Sequence, residues 1–570
     1  MHLVTSRQMA AIDRRTIEQH GVPGIALMHR AGQAVVDEIV ARSGSVAGDR
    51  IVVLCGRGNN GGDGFVVARL LRERKAEVSV YLLAEPEKIA GDAQIAMEEW
   101  QRIGGEVAVL ADDAAVHRAA TTWAGADTII DGILGTGLSG DVRGVIRTAI
   151  DELARLRVPV VAIDIPSGIS GDTGQVLGAA VKATLTVTFG LPKLGQALHP
   201  GKSYCGTLCV ADIGFPQEAI RVEAGNTFLA GRDDAHAWMP RREPDAHKAA
   251  MGRVLVIAGS VGMTGAAALA AESALRAGAG LVYLACPASL NDIFEAKITE
   301  VITYPVPEVR RYRCLSLRAH GEIRRRMDEA TVVALGPGIG RHRETIALVR
   351  RLVADCPRPL VIDADGLYAL SPLVDLVRDA ERSEDAEHTH AGERAEGAFA
   401  QGQHVVHRGE GAENVGGRKG GERTGGAFAQ GQHVVLTPHY GEAARLLGCE
   451  IAEVQADPVG TCQRAAAEWG ATFLLKGAPT VVCGPSGETW LNPTGNPGMA
   501  TGGAGDVLTG LIAGLIAQGV APEIAARLGA YAHGLAGDLA RDKLGVHGMI
   551  AGDILRALPR ALKDLAEAEG

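Results

Sequence analysis

The stretch TGGAGDVLTGLIAGLIAQG, residues 501–519, joins a glycine-rich loop directly to an apolar segment. Its apolar residues recur at helical spacing, which predicts a buried helix. The first turn of a helix carries free N–H groups and partial positive charge, and glycines let an anion approach that backbone closely. The stretch therefore predicts an anion site at the start of a buried helix. The apolar positions are Val507, Leu508, Leu511, Ile512, Leu515 and Ile516.

Asp506 is the acid of this loop. A carboxylate beside a bound phosphate can take a proton from a hydroxyl while backbone amides stabilise the phosphate charge, which is typical of phosphoryl transfer. The alternative is a glycine-rich turn in which Asp506 only caps the helix. The preceding residues NPTGNPGMA (492–500) make the whole string more specific than its GxGD core.

Short aliphatic runs alternate with helical stretches along the whole chain, which predicts an α/β fold of parallel sheets covered by helices on both faces. Ligands of such sheets bind at the carboxyl ends of the strands, where most of the polar and glycine-rich motifs fall. The runs are 51–55, 78–83, 128–131, 158–164 and 185–189 in the first half, and 253–259, 281–286, 331–336, 359–365, 433–438 and 472–477 in the second.

The length of 570 residues predicts two or three domains. We place the first domain at 1–216, a polar linker at 217–245 that includes the start of the second domain, and the second domain at 222–565. Within it, residues 378–432 lack Leu and Ile, so they cannot bury enough apolar surface to form core.

This insertion contains a duplication, GERAEGAFAQGQHVV (392–406) and GERTGGAFAQGQHVV (421–435). Only the second copy continues into an apolar context, so we predict that its HVV, and not that of the first copy, enters the sheet. The histidines between 388 and 407 are loosely spaced, and we expect no metal site there.

Composition excludes several classes of protein. A net charge of −10 and an aromatic content of 4% argue against a nucleic-acid surface. The sequence has no run of 18 apolar residues, so we expect no membrane span. The first residues also lack the apolar core of a signal peptide. Nine scattered cysteines without a C-x-x-C pair predict reduced thiols, so we expect a cytoplasmic location.

Three polar loops follow strands of the first half, namely GRGNNGGDGFVVARLL (56–71), DGILGTGLSGDVRG (131–144) and DIPSGISGDTG (164–174). A glycine-rich turn between a strand and a helix is a phosphate-binding layout, and we expect the three loops to converge on one pocket. Oxygen donors without Cys or His suit a hard cation, and Asn60, Asp131 and Ser167 could bind an alkali ion. Asn60 could equally be a turn residue.

The second half resembles the ribokinase-like superfamily and, more closely, NAD(P)H-hydrate dehydratases. The resemblance covers about 222–560 outside the insertion and implies a ribokinase-like three-layer α/β/α fold. It also implies removal of water from hydrated NADH or NADPH at the expense of ADP or ATP, with ADP expected. The motifs are PDAHK (244–248), AGSVGMTGAAALAAESALRAGAGLV (258–282), GPGIG (336–340), DADGL (363–367), LTPHYGE (436–442), KGAPT (476–480) and TGGAGD (501–506).

The same resemblance implies roles for single residues. Asp506 would deprotonate the added hydroxyl, which attacks the terminal phosphate, and the phosphate ester then eliminates. Hydrated substrate would contact Ala266, Gly338, His439 and Asp506. The nucleotide would contact Lys476, Gly477, Ala478, Pro479, Thr480, Gly502, Gly503 and Gly505.

Several of these positions keep a second interpretation. Lys476 could be a solvated lysine at a strand end, and His439 a loop histidine. Asp363 and Asp365 fit a Mg²⁺ site and a simple turn equally well. The chain also departs from the family pattern, with Tyr440 where Pro is usual and residues 249–252 in place of Gly-Asp-Phe-Gly.

The first half, 1–216, resembles NAD(P)H-hydrate epimerases, including the stretches 12–32 and 188–202. This resemblance implies a Rossmann-like α/β/α domain that interconverts the R and S hydrates, with K⁺ on Asn60, Asp131 and Ser167. Asp164 would assist departure and return of the hydroxyl at the carbon beside the ring nitrogen. Substrate contacts would be Asn59, Asn60, Gly61, Gly62, Asp63, Gly135, Thr136, Gly137, Leu138, Ser139, Gly140, Asp141 and Asp164.

Two alternatives stay open. The second half could be a small-molecule kinase that keeps its phosphorylated product, and the first half could be a non-catalytic binding module. In either case we expect small-molecule partners and a homo-oligomer, and neither nucleic acid nor membrane as a partner.

Overall fold

A computed structural model of the chain describes residues 1–371, 428 and 432–567. The first copy of the duplicated segment and most of the insertion lie outside these residues. The described residues form one large sheet from each half of the chain, and a two-stranded sheet in the second half. None of the helices in the described ranges is long and apolar enough to cross a membrane.

The first sheet is parallel throughout, with strand order β3-β2-β1-β4-β5-β6-β7 in the described residues. The order reverses between β1 and β4, as in Rossmann-like domains, and ligands of such sheets bind at this reversal. Its strands are β1 Arg50–Cys55, β2 Glu77–Leu82, β3 Val107–Val109, β4 Thr128–Gly132, β5 Val160–Ile163, β6 Leu185–Phe189 and β7 Thr207–Ala211. The helices are Ser6–Glu18, Gly24–Ser43, Asn59–Glu73, Asp92–Arg102, Asp113–Trp123, Gly144–Leu153, Leu194–Ala197 and Gly201–Tyr204, with a short 3-10 turn at Pro86–Lys88.

Strand β1 shows why the aliphatic runs are continuous. Successive side chains of a strand point to opposite faces. Ile51 and Val53 pack into the core on one face of the sheet, and Val52 and Leu54 into the core on the other. Because both faces are covered by helices, every position of the strand after the exposed Arg50 is apolar.

The second sheet has strand order β11-β10-β9-β14-β15-β16-β17-β18-β19-β8 in the described ranges. Its strands are β8 Thr227–Leu229, β9 Arg253–Ile257, β10 Leu281–Pro287, β11 Ile302–Val306, β14 Val332–Leu335, β15 Leu360–Ile362, β16 Val434–Leu436, β17 Thr472–Leu475, β18 Thr480–Cys483 and β19 Thr489–Asn492, and the small sheet is β12 Glu308–Val309 with β13 Cys314–Leu315. The helices are Gln217–Glu223, Arg232–Ala237, Thr264–Arg276, Asn291–Lys297, His320–Glu329, Arg343–Asp355, Asp365–Leu370, Tyr440–Leu447, Ile451–Ala456, Pro458–Trp469, Ala504–Ala517, Pro522–Leu544 and Ala551–Ala566, with 3-10 turns at Ala288–Leu290, Leu317–Ala319 and Pro497–Met499.

This sheet is not parallel throughout, unlike the prediction. Strand β18 runs antiparallel to both β17 and β19. Only the four residues 476–479 separate β17 from β18, and a connection that short joins antiparallel strands, whereas a parallel pair needs a long crossover. From β11 to β17 the neighbouring strands are parallel, as predicted.

Val434 and Val435 of the second duplicated copy lie in the sheet, as predicted, and the first copy lies outside the described residues. Strand β16 begins at Val434 and pairs in parallel with β15 and β17. Val434, Val435 and Leu436 are buried.

The two halves meet along a seam formed by residues 2–4. The Leu3 amide donates to the Thr227 carbonyl (2.8 Å), so this segment extends the edge of the second sheet next to β8. The Val4 carbonyl accepts from the Leu194 amide of the first half (2.8 Å). Leu3, Ala197 and Leu198 pack into a core that consists mainly of second-half residues. The stretch predicted as a linker thus contributes β8 to the second sheet.

Candidate functional site

The glycine loop lies at the start of the buried helix Ala504–Ala517. Gly503 precedes it with a φ of 95°, a conformation that glycine adopts without strain. A Cβ at Gly503 would lie 2.7 Å from Leu269 Cδ1 and 3.0 Å from Ala551 Cβ. Within the helix, Gly505 and Asp506 are the residues that are not buried. The helix therefore presents its first turn to solvent and packs everything else.

Tight packing explains the later glycines of the same helix. A Cβ at Gly510 would lie 1.9 Å from the Ala270 carbonyl oxygen, and one at Gly514 would lie 2.5 Å from that of Ala274. Small residues on both helices allow this close crossing. It fixes the glycine loop against the helix Thr264–Arg276, whose first turn contains Ala266.

A buried carboxylate links this helix to two strand ends. Asp363 follows β15, and its Oδ1 accepts from Lys476 Nζ at 2.7 Å while its Oδ2 accepts from Thr509 Oγ1 at 2.7 Å. Burial by itself would raise the pKa of Asp363, but the Lys476 charge and the two hydrogen bonds outweigh it, and the pKa lies below its usual value. Lys476 is thus paired and positioned beside the glycine loop.

Asp506 has neither a hydrogen bond nor an ion pair with any described residue. Burial raises the pKa of Asp506 to about 7, the negative charge of Asp363 adds to the rise, and Lys476 opposes it. A general base works best when its pKa lies near the working pH. Asp506 is therefore suited to exchange a proton with a ligand near neutral pH.

The DADG stretch has structural partners at both acids. Arg341 Nε donates to Asp365 Oδ1 (2.7 Å) and the Gly340 amide donates to Asp365 Oδ2 (3.1 Å). With Asp363 bound to Lys476 and Thr509, neither carboxylate is free, which favours the turn over a Mg²⁺ pair made by these two residues. Asp365 instead ties down the GPGIG loop after β14.

The predicted substrate-side residues lie at the carboxyl ends of neighbouring strands. Gly338 has a φ of 58°, and a Cβ there would lie 3.2 Å from that of Ala266. His439 caps the helix Tyr440–Leu447, because its Nδ1 accepts from the Gly441 amide at 3.0 Å. The His439 side chain is 60% exposed, and its Nε2 lies 3.6 Å from Glu442 Oε1.

The loop 476–480 joins β17 to β18 and passes close to Tyr440, which replaces the usual Pro. A Cβ at Gly477 would lie 2.5 Å from the Tyr440 hydroxyl oxygen, so Tyr440 covers Gly477. The Thr480 hydroxyl donates to the Gly477 carbonyl (3.2 Å) and holds the turn closed. Sequence reasoning did not assign Tyr440 a contact with this loop, since Tyr440 begins a helix after β16 and the loop follows β17.

In the first half, the three predicted loops line one cavity of about 1020 Å³ at the switch between β1 and β4. Gly61 and Gly62 lie outside the lining. A Cβ at Gly61 would lie 1.9 Å from the Gly56 carbonyl oxygen, so Gly61 serves close packing between helix and strand. Gly140 and Asp141 also lie outside the lining. The predicted residues that line the cavity are Asn59, Asn60, Asp63, Gly135, Thr136, Gly137, Leu138, Ser139 and Asp164.

Asp164 lies at the base of this cavity with a φ of 63°. Its Oδ1 accepts from Lys193 Nζ (2.5 Å), Thr188 Oγ1 (3.0 Å) and the Phe189 amide (3.3 Å). Gln196 Nε2 donates to the Asp164 carbonyl at 2.6 Å. Oδ2 has no hydrogen-bond partner among the residues described, so one carboxylate oxygen is left for a ligand.

Lys193 and Gln196 are site residues that the sequence interpretation missed. Lys193 is 1% exposed and pairs with Asp164, and an unpaired charge so deeply buried would be strongly unfavourable. The sequence offered one indication of this pair, which is a lysine within the otherwise apolar string TFGLPKLGQAL. Its partner Asp164 lies 29 residues earlier, and only the fold brings the two together.

The proposed alkali-ion residues form a second cluster. Asp131 accepts from the Ser167 hydroxyl (2.5 Å), the Ser167 amide (2.8 Å) and the Ile133 amide (3.3 Å). Burial raises the pKa of Asp131 to about 6 against these hydrogen bonds. No Lys or Arg of the described residues pairs with it, and the buried Asn60 Nδ2 has no partner there either. A buried carboxylate that lacks a counter-charge fits a bound monovalent cation.

The described part of the chain contains no cluster of His, Cys, Asp and Glu that could hold a metal. An alkali ion at Asn60, Asp131 and Ser167 would instead be held by hydroxyl, amide and carboxylate oxygens, as hard cations prefer.

Comparisons with known proteins agree with this layout. A family model described as "YjeF-related protein N-terminus" matches residues 24–195, and the NAD(P)H-hydrate dehydratase model matches 254–384 and 422–560. A bifunctional NAD(P)H-hydrate repair enzyme of Moorella thermoacetica is 42% identical over 568 residues, which cover 100% of this chain and 98% of the relative. The corresponding Escherichia coli protein is 31% identical over 552 residues, 96% of this chain and 91% of the relative.

Among solved structures, the chain is similar to an ADP/ATP-dependent NAD(P)H-hydrate dehydratase from Bacillus subtilis co-crystallised with ATP and Mg²⁺. The identity is 26%, the match covers 60% of this chain and 100% of that chain, and the TM-score is 0.43.

A Rossmann-like half with a polar cavity and a ribokinase-like half with a glycine loop and a free acid define a two-domain α/β protein with a candidate ligand site in each half. On full-length similarity to the curated relatives, the chain belongs to the family of bifunctional NAD(P)H-hydrate repair enzymes.

Proposed function

We propose that this chain repairs hydrated NADH and NADPH in two successive reactions. The first half interconverts the R and S hydrates, and the second half dehydrates the S form at the expense of ADP or ATP. The observation that carries the proposal is Asp506, an unpartnered acid with a pKa of about 7, in the first turn of a buried helix and close to Lys476.

In the dehydration, the terminal phosphate binds at the amides of the glycine loop, with Lys476 adding positive charge. Asp506 takes the proton of the added hydroxyl, and the hydroxyl oxygen attacks the terminal phosphorus and displaces the shortened nucleotide. Loss of phosphate from the ring carbon, together with a proton from the adjacent carbon, restores the dihydronicotinamide. Phosphate is a far better leaving group than hydroxide, which is why a nucleotide is consumed.

Mg²⁺ fits this site as a companion of the nucleotide rather than as a resident ion. Mg²⁺ commonly binds through substrate phosphates, waters and one or two carboxylates. Asp363 and Asp365 are occupied by protein donors, so the ion would be held mainly by the nucleotide phosphates and waters. Bound Mg²⁺ would neutralise phosphate charge.

In the epimerisation, the carboxylate of Asp164 faces the ring carbon that bears the hydroxyl and assists its departure and return. Lys193 and Thr188 hold this carboxylate in place. K⁺ would be held by Asn60, Asp131 and Ser167. There it would neutralise Asp131 and fix the loop that contributes residues 135–139 to the cavity.

The test is to give the purified chain mixed epimers of hydrated NADH with ADP, then with ATP, and to measure the NADH that returns. We expect both epimers to be consumed, the S form first, and nothing to be consumed without nucleotide. Accumulation of a stable phosphoester without NADH would instead identify the second half as a kinase. Survival of the R epimer would identify the first half as a binding module.

The proposal also includes a reducing compartment and a homo-oligomeric state for the protein. The nine cysteines are all free thiols in the structure, which supports a cytoplasmic location. We also propose a homo-oligomer with small-molecule ligands, to be tested by the mass of the purified protein in solution.

A further inference from the structure

A second acid of the first half faces the cavity without a partner. Asp63 lies on the helix Asn59–Glu73 and lines the same cavity as Asp164. Its exposure is 8%, and no hydrogen bond or ion pair joins its carboxyl group to any residue that the structure describes. A buried carboxyl group without a donor around it is stable mainly in its neutral form.

The charged groups around Asp63 favour the same state. Burial raises the pKa of Asp63 well above its usual value, and the charges of Asp164 and Asp13 raise it further, while Lys193 opposes them. Asp13 reaches it from the helix Ser6–Glu18, and Arg57, Glu85 and Lys88 stand elsewhere on the cavity wall. Asp164 by contrast is paired with Lys193 through Oδ1. Burial and the neighbouring charges thus favour the protonated form of Asp63, whereas the Asp164 carboxylate has a lysine beside it.

Two carboxyl groups whose surroundings push their protonation apart are the usual arrangement of an acid and a base. We propose that Asp63 is the proton donor of the epimerisation and that it works together with the Asp164 carboxylate. This inference rests on the proposed epimerase function. It assigns Asp63 a chemical role rather than a binding role alone.

The steps balance without any further reagent. Asp63 gives its proton to the hydroxyl at the carbon beside the ring nitrogen, the carbon–oxygen bond breaks, and water leaves. The nitrogen lone pair forms the double bond of an iminium ion, which the Asp164 carboxylate stabilises. Water then attacks the opposite face of that carbon, Asp164 takes one of its protons, and that proton returns to Asp63 through solvent in the cavity.

The experiment measures exchange between the R and S hydrates without nucleotide, so that the second half is idle. We expect Asp63→Asn to lower kcat roughly 100-fold while KM changes little, because a general acid contributes about that much. The wild-type rate should fall as the pH rises and Asp63 loses its proton, and the variant should lose this dependence. Asp63→Glu should recover part of the rate and the pH dependence.

Controls separate the possible failures. Glu73→Gln, the same charge change at the exposed end of the helix, should leave exchange unchanged. Dehydration of S-hydrate with ADP by the same Asp63→Asn chain reports correct folding. If Asp63→Asn does not fold, the Asp63→Glu variant provides the test. A wild-type pH profile of the Asp63→Glu variant would support the acid role of Asp63, and a pH-independent rate would refute it.

Wild-type protein that exchanges nothing would refute the epimerase function itself. A folded Asp63→Asn variant with wild-type kcat, or with a raised KM as its only defect, would refute this inference and leave the epimerase function standing.

Discussion

Thr509 and Lys476 hydrogen-bond to the two oxygens of one buried carboxylate, that of Asp363, each at 2.7 Å. Thr509 lies one turn beyond Asp506 on the same helix, and Lys476 lies at the end of β17. Asp506, the proposed base, and Lys476, the cation proposed to face the phosphate, are therefore positioned by the same group. A shift at the end of β15, where Asp363 lies, or at the end of β17, where Lys476 lies, would displace both Asp506 and Lys476.

Removal of Lys476 should destabilise the protein more than removal of the whole pair. Lys476→Gln leaves Asp363 buried without its counter-ion, which costs about 3 kcal/mol or more. Adding Asp363→Asn to that variant removes the stranded charge and should restore part of the loss. The measurement is thermal unfolding of the wild type, both single variants and the double variant. If Lys476→Gln and the double variant lost the same stability, the ion pair of Lys476 with Asp363 would not be important for stability.

The rate of dehydration should rise with pH around neutrality. Asp506 must be ionised to act as a base, and its pKa of about 7 means that the active fraction increases as the pH passes that value. With saturating ADP and S-hydrate, kcat should increase and then level off. Asp506→Asn should lower kcat roughly 100-fold or more and remove the rise.

ADP binding by calorimetry provides the control for Asp506→Asn, since the variant should still bind nucleotide. A variant that keeps the wild-type pH profile would show that another group supplies the base.

Two neighbouring glycines should respond differently to the same substitution. Gly503→Ala forces a side chain into a φ of 95° and against Ala551 Cβ at 3.0 Å, so we expect a loss of about 1 kcal/mol or more of stability. Gly502→Ala meets no atom within 4 Å and should fold normally. Because Gly502 borders the proposed phosphate site, it should instead weaken ADP binding. Equal stability of the two variants would contradict this assignment.

Potassium should support both stability and epimerisation in the first half. Replacing K⁺ by tetramethylammonium, which is too large for a site of three side chains, should lower the melting temperature and slow exchange of the hydrates. Asp131→Asn removes the charge that the ion would neutralise, so the variant should melt at the same temperature in both salts. A wild-type melting temperature that is independent of the cation would contradict the K⁺ site.

Much of this arrangement was predictable because it depends on local pattern. Strand runs with both faces buried are continuous stretches of aliphatic residues, and polar residues directly after them, such as Asp363 and Asp164, lie at the ligand edge of a parallel sheet. The apolar stripe after Asp506 likewise identified the buried helix that carries the glycine loop. These features need no knowledge of distant contacts.

What escaped prediction depends on contacts between distant positions. The pairing of Lys193 with Asp164 and the cover of Tyr440 over Gly477 arise only once strands are ordered in a sheet. Strand β8 has three residues in a polar stretch, which is too short for alternation to be recognised. The antiparallel direction of β18 follows from the short connection between β17 and β18. A short connection indicates this direction only when the two strands are known to be neighbours in the sheet.

The segment of residues 2–4 ties the two catalytic halves into a single folded body. Cleavage of the chain near residue 216 would uncover Leu3 and Leu198, which pack with second-half residues, and would leave the Thr227 carbonyl without its donor. Separately expressed halves would each expose apolar residues that are covered in the whole chain. Fusion of the two halves thus keeps these apolar residues and this backbone edge covered.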